Sequence, residues 1–216
     1  MHLAPPTPRP ITLDAVSKRY GSGPFVIRDL SAAFVPGAAV GLVGPNGSGK
    51  STLLKMLSVL TRPTTGAVRY GDLDVHRHPR AYLQHVGIVH DKADLPGFLT
   101  APELLEWIAR ERGAWTDASP AEHHALLDAV ALDDRRAQPI GTYSSGMTRK
   151  TQIAAAFAAR PSVLLFDEPF RALDVEATEA AVGGLVAFRD AGGVVLLSSH
   201  RADLLDRVVT ERVVLG

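Results

Sequence analysis

Gly44-Pro45-Asn46-Gly47-Ser48-Gly49-Lys50-Ser51-Thr52 is the run on which the fold turns. Glycines at its first and sixth positions, followed by lysine and a hydroxyl residue, form the pattern of a phosphate-binding loop, in which backbone N–H groups converge on phosphate oxygens. At ~7% glycine and ordinary lysine and serine usage, a chain offering ~200 windows would contain the pattern by chance about 1% of the time. Here it follows the apolar run Val40-Gly41-Leu42-Val43 and precedes a helical spacing of Leu53, Leu54, Met56, Leu57 and Leu60 over 50–60. The reading is strand, loop, helix, with the positive end of the helix aimed at the anion. Lys50 would reach the β- and γ-phosphates, and the Ser51 hydroxyl would ligate magnesium.

Upstream, residues 11–43 read as short strands cut by Gly21-Ser22-Gly23-Pro24 and Pro36-Gly37, an antiparallel patch that feeds the strand before the loop. Downstream, 66–75 reads as a second hairpin and Val86-Gly87-Ile88-Val89 as a buried strand. From Thr100 to about Asp133 the apolar spacing turns helical, through Leu104, Leu105, Trp107 and Ile108, then Leu126, Leu127, Val130 and Leu132. That stretch, about 92–141, is expected to be a helical insertion. A helix over 148–159, a strand in Val163-Leu164-Leu165-Phe166, a helix over 175–190 and a strand in Val194-Val195-Leu196-Leu197 complete the pattern. Alternating strands and helices predict an α/β fold with a mostly parallel central sheet covered on both faces.

Two strand ends carry chemistry. Val163 to Phe166 delivers Asp167 and Glu168 at a strand's C-terminal edge, where open α/β sheets bind their ligands. Successive strand side chains point to opposite faces, so the two carboxylates divide their roles while the strand stays extended: Asp167 for magnesium, Glu168 as base for an attacking water. Ser198-Ser199-His200 tips another buried strand, and a neutral imidazole can donate to a γ-phosphate oxygen. Tyr143-Ser144-Ser145-Gly146-Met147 opens the helix over 148–159; alone it is a capped helix start, and a helix start is also an anion site.

The whole-chain figures set the bounds. At 216 residues, against about 100–200 per domain, one domain over 1–216 is expected, with 1–10 (four prolines) as a tail. Lys+Arg 23 balances Asp+Glu 23, so no global field favours nucleic acid, and any anion site is local. Zero cysteines exclude disulfides, thiolate metal sites and cysteine nucleophiles. No apolar run approaches the ~20 residues of a membrane span, which reads as a soluble, cytoplasmic chain.

In this order the pieces resemble the nucleotide-binding subunit of ATP-binding cassette transporters, over essentially 11–216. The loop corresponds to the Walker A motif of a P-loop NTPase, VLLFDEP to Walker B with its catalytic glutamate, YSSGM to the signature, Ala172-Leu173-Asp174 to the D-loop and His200 to the switch histidine. The resemblance implies an ATPase using ATP and Mg2+, with Glu168, His200 and Lys50 in catalysis. It implies nucleotide contacts along Gly44, Pro45, Asn46, Gly47, Ser48, Gly49, Lys50, Ser51 and Thr52, with Tyr20 stacked on the adenine. It also implies head-to-tail dimers, in which Ser144, Ser145 and Gly146 reach the γ-phosphate held by the other subunit and Asp174 communicates between sites. A second cassette and a membrane permease follow as partners, with the chain peripheral on the cytoplasmic face.

Some positions depart from the family pattern. Asp91 stands where glutamine or glutamate is usual, and would meet magnesium or its water. Tyr143, Ser145 and Met147 replace the commonest signature residues in a form similar to drug-export cassettes, and Phe170, Arg171 and Val175 differ around the D-loop. Within the insertion, Phe98 or Leu99 is the expected permease contact. A soluble cassette acting on DNA or ribosomes is the competing reading; the chain lacks the cysteines and heptads of the DNA-repair members and the second cassette of the ribosomal ones. Asp91-Lys92-Ala93-Asp94 mimics a guanine-reading motif but has Asp for Asn and lies too close to Lys50 for a GTPase.

Overall fold

The computed structural model describes residues 7–91, 94–132 and 135–216. The first six residues of the proline-rich tail, Lys92 and Ala93 of the DKAD run, and Asp133 at the far end of the helical stretch lie outside the described residues.

Nine strands form two sheets among the described residues. The parallel one has five: β3 (Ala39–Val43), β6 (Val86–Val89), β7 (Val163–Asp167), β8 (Val194–Ser198) and β9 (Glu211–Val214), in the order β6-β7-β8-β3-β9. The four apolar residues that open β7 do not alternate with polar ones because both faces of this sheet are covered. Val163 and Leu165 pack into one core cluster with Val40, Leu42, Val194 and Leu196, while Leu164 and Phe166 pack into the other with Val195 and Leu197.

The first cluster is closed by helix α1 (Lys50–Leu57) and by the antiparallel sheet of β1 (Ile11–Arg19), β2 (Phe25–Phe34), β4 (Thr65–Tyr70) and β5 (Leu73–Asp74), in the order β2-β1-β4-β5. The two hairpins expected separately are thus one sheet, since β4 pairs with β1. The second cluster is covered by α5 (Ser145–Ala158), α6 (Val175–Asp190), α7 (Ala202–Val208) and the insertion helices α3 (Ala101–Glu111) and α4 (Ser119–Ala129). A short helix, α2 (Pro79–Leu83), leads into β6.

Sequence periodicity did not anticipate α2, α7 or β9. It also extends α1 to Leu60, whereas the helix stops at Leu57 because Val59 turns left-handed (φ 62°) and Leu60 N–H donates back to Lys55 O at 2.9 Å, Val59 N–H to Met56 O at 3.1 Å. Helix α5 starts three residues before 148, because Ser144 Oγ accepts from the amide of Met147 at 3.3 Å and caps the helix there. No helix among the described residues is long and apolar enough to cross a membrane.

Candidate nucleotide site

The C-terminal ends of the parallel strands place the expected residues in one pocket. Strand β3 ends at Val43, and Gly44 bends away with φ 147°, where a Cβ would lie 2.1 Å from Leu215 O and 2.7 Å from Ser48 Oγ. Gly49 (φ 102°) presses against β2, so that a Cβ would stand 3.0 Å from Ile27 Cγ1 and 3.1 Å from Val26 O. No side chain fits at Gly44, which is the physical meaning of glycine opening the pattern. Lys50 begins α1 and folds its ammonium back over the loop, donating to Gly44 O at 2.7 Å and Pro45 O at 2.9 Å. Asn46, Gly47, Gly49, Lys50, Ser51 and Thr52 line the pocket, facing Asp91, Asp167, Glu168, Ser198 and His200. Gly44, Pro45 and Ser48 are not among the lining residues.

Asp167 and Glu168 separate, though not by strand alternation, because β7 ends at Asp167. Asp167 closes β7, is buried, and accepts from Ser198 Oγ at 2.6 Å. At Glu168 the extended backbone ends: its φ is 51°, a left-handed value unusual outside glycine, and its amide donates to Ser198 O at 3.2 Å and Ser198 Oγ at 3.3 Å. Glu168 then meets the tip of β8. The backbone N–H of His200 donates to Glu168 Oε2 at 3.2 Å, and His200 Nε2 stands 3.6 Å from Glu168 Oε1. Ser198, quoted from the sequence as part of a polar strand tip but given no role there, ties the two strand ends together, because the register sets it opposite Asp167.

The donors on the pocket wall suit a magnesium ion. Ser51 and Asp167 offer a hydroxyl and a carboxylate, hard oxygens of the kind that ion takes in ones and twos beside phosphate oxygens. No group of three or more His, Asp or Glu able to cage a metal exists among the described residues. Asp91, expected to meet the metal or its water, lines the same wall and is paired with two arginines: Arg171 Nη1 donates to its Oδ1 at 3.0 Å and to its Oδ2 at 3.2 Å, and Arg149 Nη2 lies 3.5 Å from Oδ1.

The remaining expected residues lie apart from this pocket. Tyr20, in the turn between β1 and β2, is half exposed, with Lys18 Nζ 4.8 Å from its ring centroid. Ser144 and Ser145 are exposed at the start of α5, and neither they nor Gly146 line the pocket. A Cβ on Gly146 would meet Ala172 O at 2.7 Å, so α5 and the loop after β7 touch there. Asp174 caps α6 by accepting from the Ala177 amide at 2.8 Å and pairs with Lys150 at 2.6 Å. Its carboxyl is held below the usual range, chiefly by the hydrogen bond from Lys150. Burial lowers the Arg149 guanidinium from its ordinary value, while Asp91 opposes the shift. Phe98 is 82% exposed and Leu99 is partly buried against the core.

A phosphate-loop between strand and helix, set in a parallel sheet with an antiparallel sheet on one side and a helical insertion on the other, defines a P-loop nucleotide-binding fold of the cassette type. The chain belongs to the ABC transporter family, whose profile matches residues 27–171. It is 34% identical over 199 residues to Nod factor export ATP-binding protein I of Burkholderia pseudomallei, covering 92% of this chain and 65% of that protein. It is 32% identical over 201 residues to daunorubicin/doxorubicin resistance ATP-binding protein DrrA of Streptomyces peucetius, covering 93% and 60%. The chain therefore spans 60–65% of the length of these relatives. Among solved structures, an ATP-binding subunit of an ABC transporter superposes with a TM-score of 0.89 at 27% identity, over 95% of this chain and 85% of that one. A dimeric post-hydrolysis cassette bound to ADP and Pi superposes with a TM-score of 0.82 at 25% identity, over 95% and 94%.

Proposed function

We propose that the chain is a magnesium-dependent ATPase cassette that works as a dimer and drives export through a separate membrane permease. The observation that carries the reading is the pairing of Glu168 with His200 on the wall of the pocket that Lys50 and Ser51 also line. Backbone amides of the loop and the Lys50 ammonium hold the β- and γ-phosphates, after Lys50 exchanges its loop carbonyls for phosphate oxygens. Tyr20 stacks on the base. Glu168 takes a proton from water as its oxygen bonds to the γ-phosphorus and the bond to the β-phosphate oxygen breaks, leaving ADP and phosphate. His200 orients Glu168 through its backbone amide and reaches the γ-phosphate with its ring. Ser51 and Asp167 hold the magnesium, which supplies charge neutralisation for the phosphates. Asp91, on the same wall, would meet the magnesium or its water while it pairs with its arginines.

A second helix start supports the dimer. Ser144, Ser145 and Gly146 open a second helix, and a helix start favours an anion; they stay outside the pocket of their own chain. A facing copy brings that helix start onto the γ-phosphate, so each nucleotide is shared. Export and a permease partner rest on the relatives named for export and drug resistance, and the exposed Phe98 is the permease contact. Phosphate release from ATP by the purified protein, with and without Mg2+, tests the reading. Magnesium-dependent release is expected; nucleotide neither bound nor hydrolysed would overturn it.

A further inference from the structure

The turn that carries Glu168 is strained twice. Glu168 has φ 51° and Ala172 has φ 62°, left-handed values that a non-glycine residue adopts only when its surroundings hold it there. One hold is the turn's own hydrogen bond, from Arg171 N–H to Glu168 O at 3.3 Å. Another is the Arg171 side chain, which leaves the turn to grip Asp91, eighty positions away in sequence, through both carboxylate oxygens. Asp91 is itself fixed from the other side. Arg149, buried on α5, donates to the carbonyl oxygens of His90 and Asp91 at 3.0 Å each and pairs with the Asp91 carboxylate. Asp91 therefore links three elements: helix α5, the end of β6 and the turn after β7. Both Asp91 and Glu168 lie on the wall of the nucleotide pocket, so movement of this turn is movement of the proposed base.

We propose that Arg171 is a positioning residue, whose two-oxygen grip on Asp91 holds the turn after β7 in its strained form and so keeps Glu168 aimed into the nucleotide pocket. The grip engages both oxygens of the Asp91 carboxylate. A single charged nitrogen, Nη1, is shared between both carboxylate oxygens, and such charge-assisted bonds are shorter and stronger than the neutral ones an exposed turn otherwise has. The inference rests on the proposed ATPase activity for its consequence, though the grip itself can be measured without nucleotide.

The Arg171 side chain is two-thirds exposed, so its removal leaves the cores intact. Amide hydrogen exchange of the nucleotide-free protein reads the turn directly. In Arg171→Ala, and equally in Asp91→Asn, exchange at the amides of Arg171 and Leu173 should rise about three- to fivefold, a local opening of the size one lost ion pair allows. Arg171→Lys, which keeps the charge on a stem of different length and shape, should fall between. In ATP turnover, Arg171→Ala should lower kcat about tenfold or more with KM within about twofold, because misplacing a base penalises chemistry more than binding. In the Asp91→Asn background the same change should add little. Unchanged exchange in Arg171→Ala would overturn the grip, and an unchanged kcat in an active protein would overturn its role in positioning Glu168. A wild-type protein without turnover would instead remove the ATPase reading and with it the positioning role, while the exchange arm would still decide whether the grip exists.

Discussion

Asp167 and Glu168 are neighbours in sequence, yet one is buried under Ser198 and the other stands beside His200, because the strand ends between them. This separation gives each carboxylate its own substitution test. Glu168→Gln keeps the size and hydrogen-bonding reach of the side chain and removes only its capacity to take a proton. Turnover should fall by about 10²–10⁴-fold with ATP affinity retained, the range typical of a lost general base, as phosphate release and calorimetry would show. Unchanged hydrolysis would take Glu168 out of the chemistry. Lys50→Ala removes the ammonium that bridges Gly44 O and Pro45 O, and with it the cation meant for the β- and γ-phosphates. Calorimetry should show tight ATP binding abolished, and normal affinity would refute the role given to the loop.

At the scale of elements, the helices lie so close to the parallel sheet that its glycines act as spacers. A Cβ on Gly87 of β6 would meet Ala156 O of α5 at 2.2 Å and Leu164 Cδ2 at 2.7 Å. Backbone cannot yield as a flexible side-chain tip can, so Gly87→Ala should destabilise the fold by about 1–3 kcal/mol or more, seen as a lower urea midpoint. A midpoint at the wild-type value would mean that α5 is free to shift. The same close packing explains which elements could be read from sequence. Strands β3, β6, β7 and β8 were legible as apolar runs because both faces are buried. Helix α1 was read too long, since the left-handed residue that closes it is Val59, where a glycine would have announced the stop. The seven residues of α7 are too short for periodicity to register, and β9 is an edge strand, mostly exposed, that opens on Glu211 and Arg212 instead of an apolar run. Loop and strand-end residues of the site were legible because each sits in a local pattern. The Arg171–Asp91–Arg149 bridge was not, because its partners lie 80 and 58 positions apart and nothing in either segment points to the other.

For the molecule as a whole, two cores share one sheet, and both bury histidine. His76 and His123 are almost fully buried, and burial is the leading cause that lowers each imidazole from its ordinary value near 6.5. With the folded pKa depressed, the unfolded chain takes up protons first as pH falls, so their contribution is full above about 6.5 and is lost as pH drops from there through the folded values. The thermal midpoint should therefore fall between about pH 7.5 and about pH 5.5, and less so in a His76→Gln, His123→Gln double variant. An equal fall in that variant would assign the pH dependence to other groups.

The proposed dimer makes the sharpest demand on the whole molecule, since one residue must serve its own fold and a neighbour's nucleotide. Ser144 caps α5 through Met147 N–H, and its exposed face is the one a second copy would use. Ser144→Arg should leave ATP bound to its own loop and block nucleotide-dependent dimerisation, but it also removes a cap worth about 1 kcal/mol. Ser144→Asp separates the two effects, because aspartate caps as well as serine while placing an anion where a γ-phosphate would arrive. Light scattering of that variant in ATP, on a Glu168→Gln background to suppress turnover, should find monomers with wild-type thermal stability. A dimer persisting there would mean that the start of α5 does not meet the nucleotide, and each chain would have to complete its pocket alone.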